Sequence, residues 1–200
     1  MAVMLAAAMS FSVAGTARAQ DASAADKEKA LALLESSKKG VLAATKGLSE
    51  AQWNFKAAPD KWSIAECMEH IAAAEDFIRG TIEQNVMKAP AAPDRDIAKI
   101  DSSILANVPD RSSKVQAPEP LKPTNRFGSP QASIKHFEES RAKTEEFLKA
   151  TPDLRGHAVD SFASGTKWDA YEFVLMIAAH SQRHTKQIEE VKTSPGYPAK

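Results

Sequence analysis

The chain predicts an all-α fold, a four-helix bundle with one long crossover between its second and third helices. Three observations predict it. Four long segments repeat apolar residues at intervals of three and four. No segment shows the apolar–polar alternation of a half-buried strand. The proline-rich stretch Pro109–Pro130, with Pro118, Pro120 and Pro123 inside it, forbids a long helix between the second and third segments.

The first helix is expected from about Asp26 to Gly47, with Leu31, Leu34, Val41 and Leu42 at helical spacing. Gly47-Leu48-Ser49 ends it. The connector Leu48–Lys61 holds Trp53, Phe55 and Pro59, aromatics placed to plug the end of a bundle. The second helix starts at Ser63, because Ser63-Ile64-Ala65-Glu66 has the spacing of a capping box, and it runs to about Met87. Its inward positions are Ile64, Cys67 or Met68, Ile71, Ala74 or Glu75, Phe77 or Ile78, and Ile82, which places His70 about two turns in. Ala89–Pro93 breaks the chain, and Asp94–Asn107 forms a short helix carrying Ile97, Ile100, Ile104 and Leu105. The crossover follows. Ser129-Pro130, a cap followed by proline at the first helical position, starts the third helix, which carries Ile134, Phe137, Arg141, Thr144, Phe147 and Leu148 to about Ala150. Pro152–Gly165 is a second connector. The fourth helix runs from Thr166 or Trp168 to Lys192, and Pro195, Gly196 and Pro198 end the chain.

Two hundred residues fit one domain, and 26 basic against 26 acidic residues give no charge excess that would point to nucleic acid. Cys67 is the single cysteine, which excludes an intrachain disulfide. Val3 to Ala14 is a short apolar run followed by Ala17-Arg18-Ala19-Gln20, a small-x-small cleavage pattern, although no Lys or Arg precedes the run. The expected organisation is a signal peptide over 1–19, a disordered linker over 20–25 and a bundle domain over 26–198. The mature protein is then periplasmic or secreted. The apolar run is too short to span a membrane comfortably, and no cysteine follows the cleavage site for a lipid, so no stable membrane anchor remains. A homodimer is compatible with this reading.

The chemistry lies in His180 and His184, four residues apart in a segment whose Phe173, Ile177, Ile188 and Val191 lie on nearly the same helix face. Both imidazoles therefore aim inward, and imidazole is the commonest metal ligand among side chains. His70 on the second helix is a third inward candidate. A lone histidine on an apolar face is more often a satisfied core residue than a ligand. A pair at this spacing, joined by a third on an aligned helix, shifts the balance toward one shared divalent ion with coordination positions left open.

Trp62-Ser63-Ile64-Ala65-Glu66 followed by Glu69-His70-Ile71 resembles the second helix of the DinB/YfiT-like superfamily. Ala179-His180-Ser181-Gln182-Arg183-His184-Thr185-Lys186-Gln187-Ile188 resembles its last helix, and Leu121-Lys122-Pro123 with Arg126-Phe127 resembles its crossover. The resemblance spans roughly Asp26 to Pro198. It implies a four-helix bundle in which three histidines, here His70, His180 and His184, bind a divalent metal. It also implies either metal-dependent hydrolysis or a thiol-dependent transfer or isomerisation.

Three neutral imidazoles suit zinc or nickel first, with iron or manganese also compatible. Such a site activates water toward an electrophile. Export disfavours the thiol chemistry, because an oxidising compartment does not keep a thiol pool reduced. The expected function is therefore an exported metal-dependent hydrolase acting on a small molecule of unknown identity. The alternatives are a thiol-dependent S-transferase and a non-catalytic metal-binding or stress-related module. Glu66, one turn before His70, is a candidate general base, although its capping role explains it equally well. Cys67 reads as a small buried hydrophobe ahead of a fourth ligand. Gln187 is placed to hydrogen-bond a ligand imidazole, and Arg183 is either a surface residue or an anion holder. His136 reads as solvent-facing, His157 carries no assignment, and Trp62 and Trp168 read as core plugs.

Overall fold

A computed structural model describes residues 21–162 and 164–199. The expected signal peptide and the first residue of the expected linker lie outside them. The described chain folds as α1 (Ala24–Thr45), α2 (Glu50–Asn54), α3 (Ile64–Gln84), α4 (Ile97–Asn107), α5 (Pro130–Ala150), β1 (Ala158–Asp160), β2 (Lys167–Asp169) and α6 (Ala170–Lys192). The four long helices α1, α3, α5 and α6 make the bundle. α6 packs between α1 and α3, and α5 closes the ring against α3 and α1, so α1 and α3 sit diagonally. α4 lies on the outside of α6.

Local chemistry sets the helix starts. Ser23, Ser49, Ser63 and Asp169 each close a capping box, with Asp26, Gln52, Glu66 and Glu172 as the reciprocal partners. Ser129 caps α5, with Pro130 in its first turn, where a missing N–H costs nothing.

Three boundaries differ from expectation. The linker read over 20–25 is part of the bundle from Asp21 onward: Ser23 caps α1, Ala22 is buried, and Asp21 Oδ1 accepts from the Leu154 N–H at 3.3 Å. The first connector contains α2, a helix of five residues. The second connector contains an antiparallel hairpin pairing Ala158 with Asp169, Val159 with Trp168 and Asp160 with Lys167. Strands of three residues are too short to show an alternating pattern. Trp168 does plug this end, buried against Phe173.

The core comes in two large apolar clusters, beside a small third one of Ala73, Ala74 and Leu121. One holds Leu34, Ile78, Leu148 and Phe173; the other holds Val41, Ile71, Phe137 and Ile188. Along every long helix a polar residue separates the two: Ser37 on α1, Glu75 on α3, Arg141 and Thr144 on α5, and Ser181 on α6, all buried. Arg141 sits at the centre of this layer. Its Nε and Nη2 reach the two Glu75 oxygens at 2.8 Å each, Nη1 reaches the Leu34 carbonyl and Ser37 Oγ, and Nη2 also reaches Ser181 Oγ. All five guanidinium donors thus have acceptors, drawn from the three other helices of the ring.

Candidate metal centre

The three histidines face one another where α3 and α6 pack. His70 Nε2 lies 3.2 Å from His180 Nε2, and His184 Nε2 lies 3.1 Å from the same atom. His70 and His184 are buried, and His180 is of intermediate burial. Among the described residues, this is the group of three or more metal-capable side chains whose ligand atoms lie close enough together to share an ion.

The outer nitrogens determine what the inner ones can do. His70 Nδ1 is 2.8 Å from the Leu121 carbonyl, an acceptor only, so Nδ1 carries the proton. His184 Nδ1 is 2.9 Å from Gln187 Oε1, and Arg111 Nη1 also donates to that oxygen at 3.2 Å, which fixes the amide orientation. A neutral imidazole has one N–H. The Nε2 atoms of His70 and His184 are therefore lone-pair acceptors, and both point at His180 Nε2. Hydrogen bonds from a single N–H serve this arrangement poorly. A cation satisfies all three nitrogens at once. With nitrogens about 2.0–2.1 Å from an ion, neighbouring ligand atoms sit about 3.3 Å apart at tetrahedral angles and about 2.9 Å apart at right angles. The observed 3.1 and 3.2 Å fall between.

Burial lowers the pKa of all three imidazoles. For His180 and His184 the effect is large, and the rings' mutual repulsion adds to it. The neutral, ligand-competent form is the stable one near neutrality. His70 and His184 also have partners on their outer nitrogens, Leu121 and Gln187, as metal-binding histidines commonly do.

Trp62 belongs to the site as well as to the core. Its ring centroid is 4.9 Å from that of His70, and it stacks at 6.2 Å on His184, walling one side of the triad. Gln187 does hydrogen-bond a triad imidazole, and it links His184 to Arg111 on the crossover, itself paired with Glu190. Cys67 is fully buried in the apolar cluster with its thiol pushed up by desolvation, as a core residue would be.

Other assignments change. Arg183 holds the crossover, donating to the carbonyls of Val108, Asp110 and Ser113. His136 is only part-exposed: it stacks on Phe127 at 4.4 Å and its Nε2 pairs with Asp76 at 2.5 Å. His157 joins the hairpin to the chain after α3 through the Ala89 carbonyl. The Glu66 carboxylate closes the α3 capping box through the Ser63 N–H at 2.7 Å and pairs with Lys56 at 2.9 Å. It also lines an open groove of about 830 Å³ with Glu69, Asn125 and Gln131. Sequence reasoning missed Glu69, Leu121 and Arg111, whose partners lie far away in the chain, and the site role of Trp62, which faces His70 and the distant His184.

A helical bundle that brings three imidazoles from two helices together defines a class of metal-binding bundle proteins. The comparisons make this specific: a sequence profile of the DinB superfamily matches residues 17–188, and the chain belongs to that family. It is 26% identical over 156 residues to the uncharacterized protein YuaE of Bacillus subtilis (strain 168), covering 74% of this chain and 87% of that one. It is similar in fold to YfiT from Bacillus subtilis, with a TM-score of 0.54 at 14% identity over 88% of this chain and 91% of that one. YfiT is described as a probable metal-dependent hydrolase with an unusual four-helix bundle topology.

Proposed function

We propose that this protein is a metal-dependent hydrolase in which His70, His180 and His184 hold one divalent ion. The carrying observation is that three Nε2 atoms converge while the outer nitrogens of His70 and His184 are committed elsewhere. The donor set favours zinc or nickel and accommodates iron or manganese. The description of YfiT supports the hydrolytic reading.

When bound, such an ion supplies Lewis acidity toward water and toward a carbonyl or phosphoryl oxygen. The chain's own residues do the rest. Leu121 and Gln187 orient two imidazoles, and Trp62 walls one side of the triad. Glu66 is the proposed general base; its cap and its pair with Lys56 compete with that role. The substrate is a small molecule, and the mature protein is proposed to be exported, beginning at Gln20.

Protein purified without a histidine tag should carry close to one divalent ion per chain by elemental analysis. Protein that takes up none of zinc, nickel, iron and manganese would overturn the reading. Mass spectrometry of the cell-envelope fraction tests export; an intact Met1 in the soluble cytoplasmic fraction would refute it and favour the thiol-transfer chemistry instead.

A further inference from the structure

Glu69 is a buried carboxylate next to His70 in sequence, yet it does not pair within its own helix. Its Oε1 accepts from the Thr124 N–H at 2.7 Å, the Arg126 N–H at 3.2 Å and Arg126 Nε at 3.0 Å, and its Oε2 accepts from the Asn125 N–H at 2.8 Å. Asn125 has φ 60°, a left-handed turn that lets three successive N–H groups converge on one carboxylate. Arg126 then extends the grip. Its Nη1 donates to the Pro120 carbonyl at 2.9 Å and its Nη2 to the Lys122 carbonyl at 2.6 Å. Those two carbonyls flank the Leu121 carbonyl, which accepts from His70 Nδ1. The Leu121 side chain is buried against Ala73, Ala74 and Phe127, which holds the same residue from its other side.

We propose that Glu69 and Arg126 are positioning residues that fix the tautomer and ring orientation of His70 through the Leu121 carbonyl. They thereby set how tightly the three-histidine site holds an ion, a consequence that rests on the metal reading above. The connections form a closed circuit: from residue 69 to 126, from 126 to both neighbours of 121, and from 121 back to residue 70. Anchoring the crossover needs one contact with it. Holding both carbonyls beside the one that meets the ring needs the planar guanidinium fork, which lysine does not reproduce. With Nδ1 held as donor, Nε2 is left as the lone pair facing His180 and His184.

The test compares wild-type protein with Arg126→Ala, Arg126→Lys, Glu69→Gln and, as a control, Lys114→Ala at an exposed crossover position. Nitrogen NMR of the metal-free proteins reads the His70 tautomer, and competition with a chelator reads zinc affinity. Wild type and Lys114→Ala should show His70 as a single Nδ1–H tautomer. Both Arg126 variants should show a tautomer mixture and about 10–100-fold weaker zinc binding, with Glu69→Gln changed in the same direction. An Arg126→Ala protein that keeps the single Nδ1–H tautomer overturns the proposal, whatever its zinc affinity. A tautomer shift in a protein whose wild type binds no zinc upholds the positioning role and overturns the metal reading. Should Arg126→Ala fail to fold, Arg126→Lys and Glu69→Gln decide by the same tautomer criterion.

Discussion

Replacing Glu75 by glutamine should destabilise the fold far more than its near-identical shape suggests. Glu75 and Arg141 are 1% and 0% exposed and meet through two bonds of 2.8 Å. Glutamine keeps one acceptor but turns an NH₂ toward a guanidinium N–H, and it leaves the buried positive charge uncompensated. Breaking one partner of a buried ion pair costs about 3–5 kcal/mol. For a chain of this size each kcal/mol lowers Tm by about 2–4 °C, so the fall should be about 6–20 °C. Equilibrium urea unfolding followed by far-UV circular dichroism, alongside calorimetry, measures both. The pair Glu75→Leu with Arg141→Met should recover most of the loss, because removing both charges also removes their desolvation cost. A Glu75→Gln loss below about 1 kcal/mol at unchanged denaturant slope, or a double variant no better than the single one, would refute the reasoning.

His180→Ala should abolish most metal binding by elemental analysis and any hydrolytic activity with it, since two nitrogens remain. Glu66→Gln should retain the ion and the helix start, because glutamine also serves a capping box. It should slow turnover by on the order of a hundredfold if Glu66 is the base, whereas unchanged turnover would leave Glu66 as a cap alone. Cys67, whose thiol burial pushes well above its ordinary range, should resist a disulfide reagent at mildly alkaline pH and react once denaturant unfolds the chain. Rapid modification of the native protein would contradict its buried position.

The parts of this fold that could be read from the sequence are those set by neighbours in the chain. The Ser63 and Ser129 starts are local motifs, and the His180–His184 pair is one helical turn, so their positions agree with the structure. Of the α5 residues at helical spacing, Phe137, Arg141, Thr144 and Leu148 are buried, and Ile134 and Phe147 are partly so. Phe77 shows the limit of periodicity: it is 40% exposed while its neighbour Ile78 takes the core position. What could not be read depends on partners brought close by folding. Glu69 gains its role from residues 124–126, more than fifty positions away. His136 looks exposed on a helical wheel until Phe127 and Asp76 arrive beside it. The hairpin has too few residues for any pattern, and its register depends on the bundle end it covers.

The helices that carry the imidazoles touch in space but are distant in the chain, with 110 positions between His70 and His180. An ion shared by these residues acts as a clip closing a very long loop. The entropy of closing a loop grows only with the logarithm of its length, and the packing of α3 on α6 closes this loop without an ion. α6 alone offers two nitrogens at one-turn spacing, an incomplete holding site. The third comes only when α3 docks on α6, where the Leu121 carbonyl of the crossover meets the His70 ring. Metal uptake would thus report completed folding, with an unfolded or half-docked chain left as a poor competitor for the ion.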